Sequence, residues 1–322
     1  MTTSPHASLT APRQRFGATD LGLVIMSLIW GINYSVVKTG LRTLSPLAFN
    51  GLRVAMAAVV LFAIAAFVRG TKLPPRRDMI QLALLGVLGN GVYQLFFIFG
   101  MSRTRAGVAA LVVAAGPAWI AMISSLMGLE RLPLRGWSGI GLQLLGVACV
   151  VGSAQGFEGG RDVMVGAGLI AVGSIAWATF SVLLQPYTQT THPLHLSAIT
   201  MASGAVVLLS VALPDLLALQ WRAVSLVEWG AVTYAGIGAL VIAYLLFYRG
   251  VRVLGATRTA MYGNLQPIVA IAFAWIMLHE QPTVWQLLGA ALVMAGLLLS
   301  RTAQATPAVA RADSLSSSAQ TS

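Results

Sequence analysis

The chain has 322 residues, of which 57% are hydrophobic and 9% charged. Soluble domains carry about 25% charged residues, so a large soluble apolar core is excluded and most of this surface must face something other than water. The net charge of +11 and the pI near 10.8 do not read as nucleic-acid binding. The basic residues sit in short links between apolar runs, and no basic cluster with interleaved aromatics occurs on a polar segment.

Residues 1–19 are polar, contain Arg13 and Arg15 and lack an apolar h-region. They predict an uncleaved cytoplasmic N-terminus. Ten apolar runs follow, at 20–38, 46–68, 79–99, 105–127, 136–154, 164–185, 194–213, 227–248, 256–278 and 284–300. Each approaches the roughly 20 residues that a helix needs to cross a bilayer. None alternates in polarity as a transmembrane β-strand would. The expected architecture is therefore an all-α integral membrane protein with ten transmembrane helices. Residues 155–163 form a linker, and the Ala/Ser/Thr-rich 301–322 predict a disordered cytoplasmic tail.

With both termini inside, thirteen Lys or Arg side chains fall on the cytoplasmic side and six outside. That asymmetry supports an N-in, C-in topology in the cell (inner) membrane. Cys149 is the sole cysteine, which excludes an intramolecular disulfide and a cysteine metal site. His192 and His195 flank Pro193 and read as loop residues, with a metal site there as the lesser alternative. No Walker sequence is present, and no cofactor is expected.

The stretch "PAWIAMISSLMGLE" at 117–130 returns as "PIVAIAFAWIMLHE" at 267–280, in a chain with four glutamates. At the same offset of 150, Gly86 meets Gly236, Gly100 meets Gly250, Gly139 meets Gly289 and Gly146 meets Gly296. At 147, Ser27 and Trp30 meet Ser174 and Trp177. The halves are 20–154 and 164–300, with five spans each. A second copy of an odd-span unit enters the bilayer from the opposite face, so the two five-helix repeats are inverted. In secondary transporters that arrangement places the substrate near mid-membrane, at the repeat interface.

The first span reads "SLIWGINYSVVKTGL", the second carries Arg53, and a Pro-to-Glu unit followed by spaced glycines ends each half. Over residues 20–300 the chain resembles the EamA-domain transporters of the drug/metabolite transporter superfamily. The resemblance implies a ten-span α-helical fold that exports or imports small metabolites. The second half departs from this pattern. Trp30-Gly31-Ile32-Asn33 is answered by Trp177-Ala178-Thr179-Phe180, and Arg53 by Thr200 or a neighbour. The halves are chemically unequal.

Polar groups within a span are costly and mark candidate sites. The substrate-binding candidates are Trp30, Asn33, Tyr34, Arg53, Gln94, Trp177, Tyr244, Asn264 and Gln266. For any one of them helix–helix hydrogen bonding, worth roughly 1 kcal/mol, is the competing explanation. For Arg53 the competitor is snorkelling to the outer interface. As a set they predict a polar cavity. The hinge and gating candidates are Pro117, Pro267, Glu130 and Glu280. Each proline lacks an N–H and should free a carbonyl four residues earlier, at Val113 and Gly263. The glutamates read as interfacial anchors or gate-pairing residues.

The expected function is secondary or facilitated transport of small metabolites, with export of amino acids or related solutes by alternating access the leading reading. A scaffold or sensor on the same fold is the alternative. A membrane-embedded lipid-modifying enzyme is the weaker one, because no clustered Asp, His or Ser set is present. The partners implied are a small-molecule substrate and the lipid bilayer, with glycine faces able to pack within one chain or between copies.

Overall fold

The computed structural model describes residues 17–67, 73–152, 160–254, 259, 262–302 and 306–307. Most of the polar N-terminus, linker and tail discussed above lies outside these residues. The described chain is a helical bundle. Its helices are α1 (Ala18–Gly40), α2 (Pro46–Phe67), α3 (Arg76–Arg103), α4 (Ala106–Leu126), α5 (Leu134–Gly152), α6 (Gly160–Thr190), α7 (Pro193–Ala218), α8 (Leu226–Leu254), α9 (Leu265–Leu278) and α10 (Val284–Thr302). The first eight are long and apolar enough to cross a membrane, while α9 and α10 are shorter apolar helices. A two-residue antiparallel ladder, Glu130–Arg131 with Thr306–Pro307, is the departure from all-helix.

The outer faces carry large apolar side chains with nothing over them. Phe67, Leu217 and Leu226 are 86%, 78% and 90% exposed. Such a surface is stable against lipid and not against water. Polar side chains turn inward instead: Asn50, Arg53, Asn90, Gln94, Gln143 and Thr200 are all buried. Serines inside the spans bond back to their own helix, Ser27 to the Leu23 carbonyl and Ser174 to the Ile170 carbonyl, both at 2.9 Å. These two bonds occupy equivalent positions in the halves.

The helix contacts obey one exchange rule. Swapping α1–α5 with α6–α10 maps each major contact onto another: α3 on α6 becomes α8 on α1, and α4 on α6 becomes α9 on α1. The pairs α2 with α7 and α5 with α10 map onto themselves.

Glycine makes the last of these possible. A Cβ on Gly139 would lie 2.5 Å from the Gly296 carbonyl, and one on Gly296 would lie 2.5 Å from the Gly139 carbonyl. Gly146 and Gly289 are reciprocal in the same way, at 2.7 and 2.8 Å. The residue numbers rise along α5 as they fall along α10, so the helices run antiparallel, as inversion demands. Small residues let helices approach backbone to backbone where lipid supplies no hydrophobic drive.

Two local departures from α geometry recur in register. α3 passes through a π-helical segment, Val87–Val92, and α8 through another, Tyr234–Ile242. Gly86, directly before the first, leaves room for the Thr200 backbone, and its repeat partner Gly236, inside the second, leaves room for the Arg53 backbone.

α4 breaks at Ala115, directly before Gly116 and Pro117. A turn at Gly263 and Asn264 precedes α9 and its Pro267. The prolines therefore interrupt their spans as expected, but the Gly263 carbonyl is not left free. It accepts from the Gln266 N–H at 3.1 Å, because the chain tightens into a turn there. His195 also differs from expectation. It is buried in the first turn of α7 and only His192 is in the link, capping that helix by accepting from the Leu194 N–H. Desolvation, then the neighbouring His195 and Arg252, lower the pKa of His192.

Gly146→Val should drive a side chain into the Gly289 carbonyl. We expect a loss of about 1–3 kcal/mol, typical of overpacking. A fall in the midpoint of thermal unfolding in detergent, absent for the uncrowded Gly141→Val, would register it.

Candidate functional site

The two π segments end at equivalent places. Tyr93 and Gln94 are the first residues of regular helix after one, and Ala243 and Tyr244 after the other. Gln94 and Tyr244 are thus repeat partners, and they meet: the Gln94 side chain faces the Tyr244 hydroxyl. Contact between equivalent residues places this point at the pseudo-two-fold axis.

Around it stands a continuous wall of rings. Trp30 of α1 packs edge-on against Tyr244 at 5.8 Å and beside Phe247 at 5.7 Å. Trp177 of α6 touches Tyr93, Phe180 and Tyr244 at 5.2, 5.2 and 5.6 Å. Tyr34 joins through Phe97 at 6.0 Å. The wall thus draws on α1, α3, α6 and α8, two equivalent pairs. Trp30 is fixed across the repeat boundary, its indole N–H donating to the Ala239 carbonyl at 2.9 Å inside the second π segment. A π turn leaves backbone carbonyls off the regular ladder and recurs at functional sites.

Arg53 adds charge on the first-repeat side. It is the eighth residue of α2, about 10 Å along the helix axis from its start at 1.5 Å per residue. It does not snorkel. The side chain is 1% exposed and reaches into the bundle. Its Nε donates to Asn50 Oδ1 at 2.9 Å and its Nη2 to Gln94 Oε1 at 2.6 Å. Asn50 in turn donates to the Gln94 backbone carbonyl at 3.2 Å. The guanidinium lies over the rings of Phe49 and Phe97, at 5.8 and 5.5 Å. Among the described residues no carboxylate pairs with it; both hydrogen-bond acceptors are neutral amides.

The magnitudes matter here. Burying a charge in low dielectric costs several kcal/mol after relaxation. A hydrogen bond to a charged group returns about 1.5–3 kcal/mol, and a desolvated cation–π contact about 2. The four contacts make a buried guanidinium tolerable without neutralising it.

Of the remaining binding candidates, Asn33 is buried beside Trp30 and Tyr34 on α1, and its Oδ1 has no partner. Asn264 and Gln266 belong to the break before α9. The Gln266 carbonyl lies 3.1 Å from the Cβ position of Gly31, and neither side chain joins the ring wall. The structure thus brings Trp30, Tyr34, Arg53, Gln94, Trp177 and Tyr244 into one network and leaves the α9 pair at its edge.

The two glutamates, alike in sequence, differ in setting. Glu280 follows α9, where His279 adopts the left-handed conformation at φ 56°. It faces the start of α4, with Oε2 3.9 Å from Arg105 Nε and Oε1 accepting from the Ala106 N–H at 3.4 Å. Nearby, Lys38 donates to the Met101 carbonyl at 3.1 Å. The ends of α1, α3, α4 and α9 are thereby clamped together at one face. Glu130 instead enters the short ladder with Pro307.

Sequence reasoning missed Asn50, Tyr93 and Phe97. It also missed Asn90, which is fully buried in the first π segment with neither amide atom partnered. The available signal was the run Gly89-Asn90-Gly91 in a span interior. Among the described residues no group of three metal-ligand side chains occurs.

The sequence profile of the EamA-like transporter family matches the chain twice, over residues 17–152 and 164–302. A relative described as an uncharacterized inner membrane transporter, YedA of Escherichia coli strain K12, is 30% identical over 262 residues, covering 80% of each chain. The uncharacterized transporter YyaM of Bacillus subtilis is 25% identical over 279 residues, covering 86% of this chain and 91% of its own. A solved crystal structure of a protein 21% identical to this chain superposes with a TM-score of 0.60, covering 89% of this chain and 97% of the other. That likeness speaks for the fold alone.

Gln94→Leu deletes a charge-assisted acceptor and should lower stability by about 1.5–3 kcal/mol. Combining it with Arg53→Met removes the stranded charge. A double-mutant cycle on thermal unfolding should then give a coupling of about 0.5–3 kcal/mol, and strict additivity would sever the proposed link.

Proposed function

The chain belongs to the EamA-like transporter family, and from that premise we propose that this membrane transporter moves small organic solutes, amino acids or related metabolites, in the direction of export. Transport proceeds by alternating access at a central site between two inverted repeats, 20–154 and 164–300. Both termini face the cytoplasm, and the membrane is the inner one.

The observation that carries this reading is the meeting of Gln94 and Tyr244, equivalent residues from the two halves, at the centre of a ring-walled and partly polar network. A site shared by inverted halves is open to one side when the halves take one arrangement, and to the other when they exchange arrangements. Trp30, Tyr34, Arg53, Gln94, Trp177 and Tyr244 contact the solute in this reading. Asn33, Asn264 and Gln266 border its path.

Pro117 and Pro267 sit at the breaks about which α4 and α9 flex. Glu280, held by Arg105 and the Ala106 N–H, closes the outer face. Glu130 occupies the corresponding place on the inner face. The solute's own gradient, or exchange against a counter-solute, supplies the drive, without ATP.

Purified protein in liposomes should take up a labelled solute from a metabolite panel saturably and without ATP. Tyr244→Ala and Trp177→Ala should cut the rate at least tenfold while the protein stays monodisperse. Binding without flux for every solute tried would replace the carrier with a sensor on the same fold.

The outer clamp has its own test. Val108, 1% exposed in the outer half of α4, is replaced by cysteine in a Cys149→Ser background. Adding Glu280→Gln should speed its labelling by a membrane-impermeant thiol reagent applied from outside. An unchanged rate would remove Glu280 from the gate.

A further inference from the structure

The central network has a positive pole without a negative one. Arg53 is buried, its hydrogen-bond acceptors are the neutral Asn50 and Gln94, and it packs on Phe49 and Phe97. A guanidinium offers five N–H donors in a planar fork suited to a carboxylate, and the two bonds named here leave three for further acceptors. Following the network away from Arg53 leads through Gln94 to Tyr244, then to Trp30, Trp177, Phe180 and Tyr248. These are flat rings and hydroxyls. No Asp or Glu takes part in any of these contacts.

From this asymmetry we infer that the preferred solute is a flat or apolar monocarboxylate of net charge −1, bound with its carboxylate on Arg53 and its ring along the Trp30–Tyr244–Trp177 wall. The inference rests on the transport reading and narrows it. A monoanion makes the loaded site neutral. The α-amino analogue of the same skeleton adds an ammonium, restores the net positive charge, and finds no carboxylate to pair with. Ring faces attract an ammonium, but that attraction is smaller than the cost of stripping its water. The deaminated acid therefore binds tighter than its zwitterionic parent, and the corresponding amine binds least.

Three probes built on one phenylethyl skeleton separate the charges: 3-phenylpropionate, L-phenylalanine and phenethylamine. Their dissociation constants are measured on the intact protein in detergent, by thermal stabilisation against concentration. We expect 3-phenylpropionate to bind at least tenfold tighter than L-phenylalanine, with phenethylamine weaker again. Arg53→Gln should collapse the acid-to-zwitterion ratio to within about twofold. Arg53→Lys should keep the order at reduced affinity, because it retains the charge and loses the fork.

Equal or tighter binding of L-phenylalanine, tightest binding of phenethylamine, or an unchanged ratio in folded Arg53→Gln protein would each overturn the inference. So would no binding of any probe. The wild-type ranking stands as a test even if the Arg53 variants do not fold. Proteoliposome flux separates the two readings. Predicted binding order without flux sinks the transporter and keeps the anion site. Saturable flux of other solutes without a preference for acids does the reverse.

Discussion

Everything in this bundle depends on α5 and α10 touching backbone to backbone. Gly139 against Gly296 and Gly146 against Gly289 are reciprocal contacts about a single axis. In lipid such contacts rest on close packing rather than on exclusion of water, so any side chain in the seam weakens them directly. The same axis passes between Gln94 and Tyr244. Ser27 and Ser174, like Gly86 and Gly236, are placed alike on either side of it. The seam fixes how one half sits on the other. The halves in turn fix where the rings converge.

Much of this was legible because it depends on residue types that are not interchangeable. Apolar runs gave the spans. Prolines marked the breaks in α4 and α9, and the glycine offsets gave the repeat. Direction was less visible. An offset of 150 aligns Gly139 with Gly289, whereas in space Gly139 meets Gly296. That crossing is what inversion means, and only the folded chain displays it. Arg53 and Gln94 were both singled out, but not as partners, and Asn50, one turn before Arg53 on α2, was passed over, because the three acquire their joint role only through tertiary contact. Glu130 and Glu280 read alike in sequence, yet the fold sets Glu280 beside Arg105 and the Ala106 N–H and puts the Glu130 backbone in the short ladder with Pro307. The π segments had no pattern to announce them beyond glycines in a span interior.

The inequality of the halves carries the chemistry. Where one repeat has Arg53 the other has Thr200, and where one has Gln94 the other has Tyr244. Symmetry supplies two copies of the same scaffold, related by inversion. The substitutions between equivalent positions give the shared centre a charged side and a ring-lined side.

The wide turns in α3 and α8 set a phase. One residue more in a turn rotates all that follows by about 100°, the step of a helix with 3.6 residues per turn. Tyr93 and Gln94 come directly after one such turn, and Tyr244 just after the other. Their aim at the centre is therefore a property of the turn before them, not of their place in a regular helix. Were the extra residue absorbed back into α geometry, Gln94 would swing off Arg53 and Tyr244 off both tryptophans, with no helix moved as a body. The centre of this protein is held in register by two places where its helices are wound too loosely.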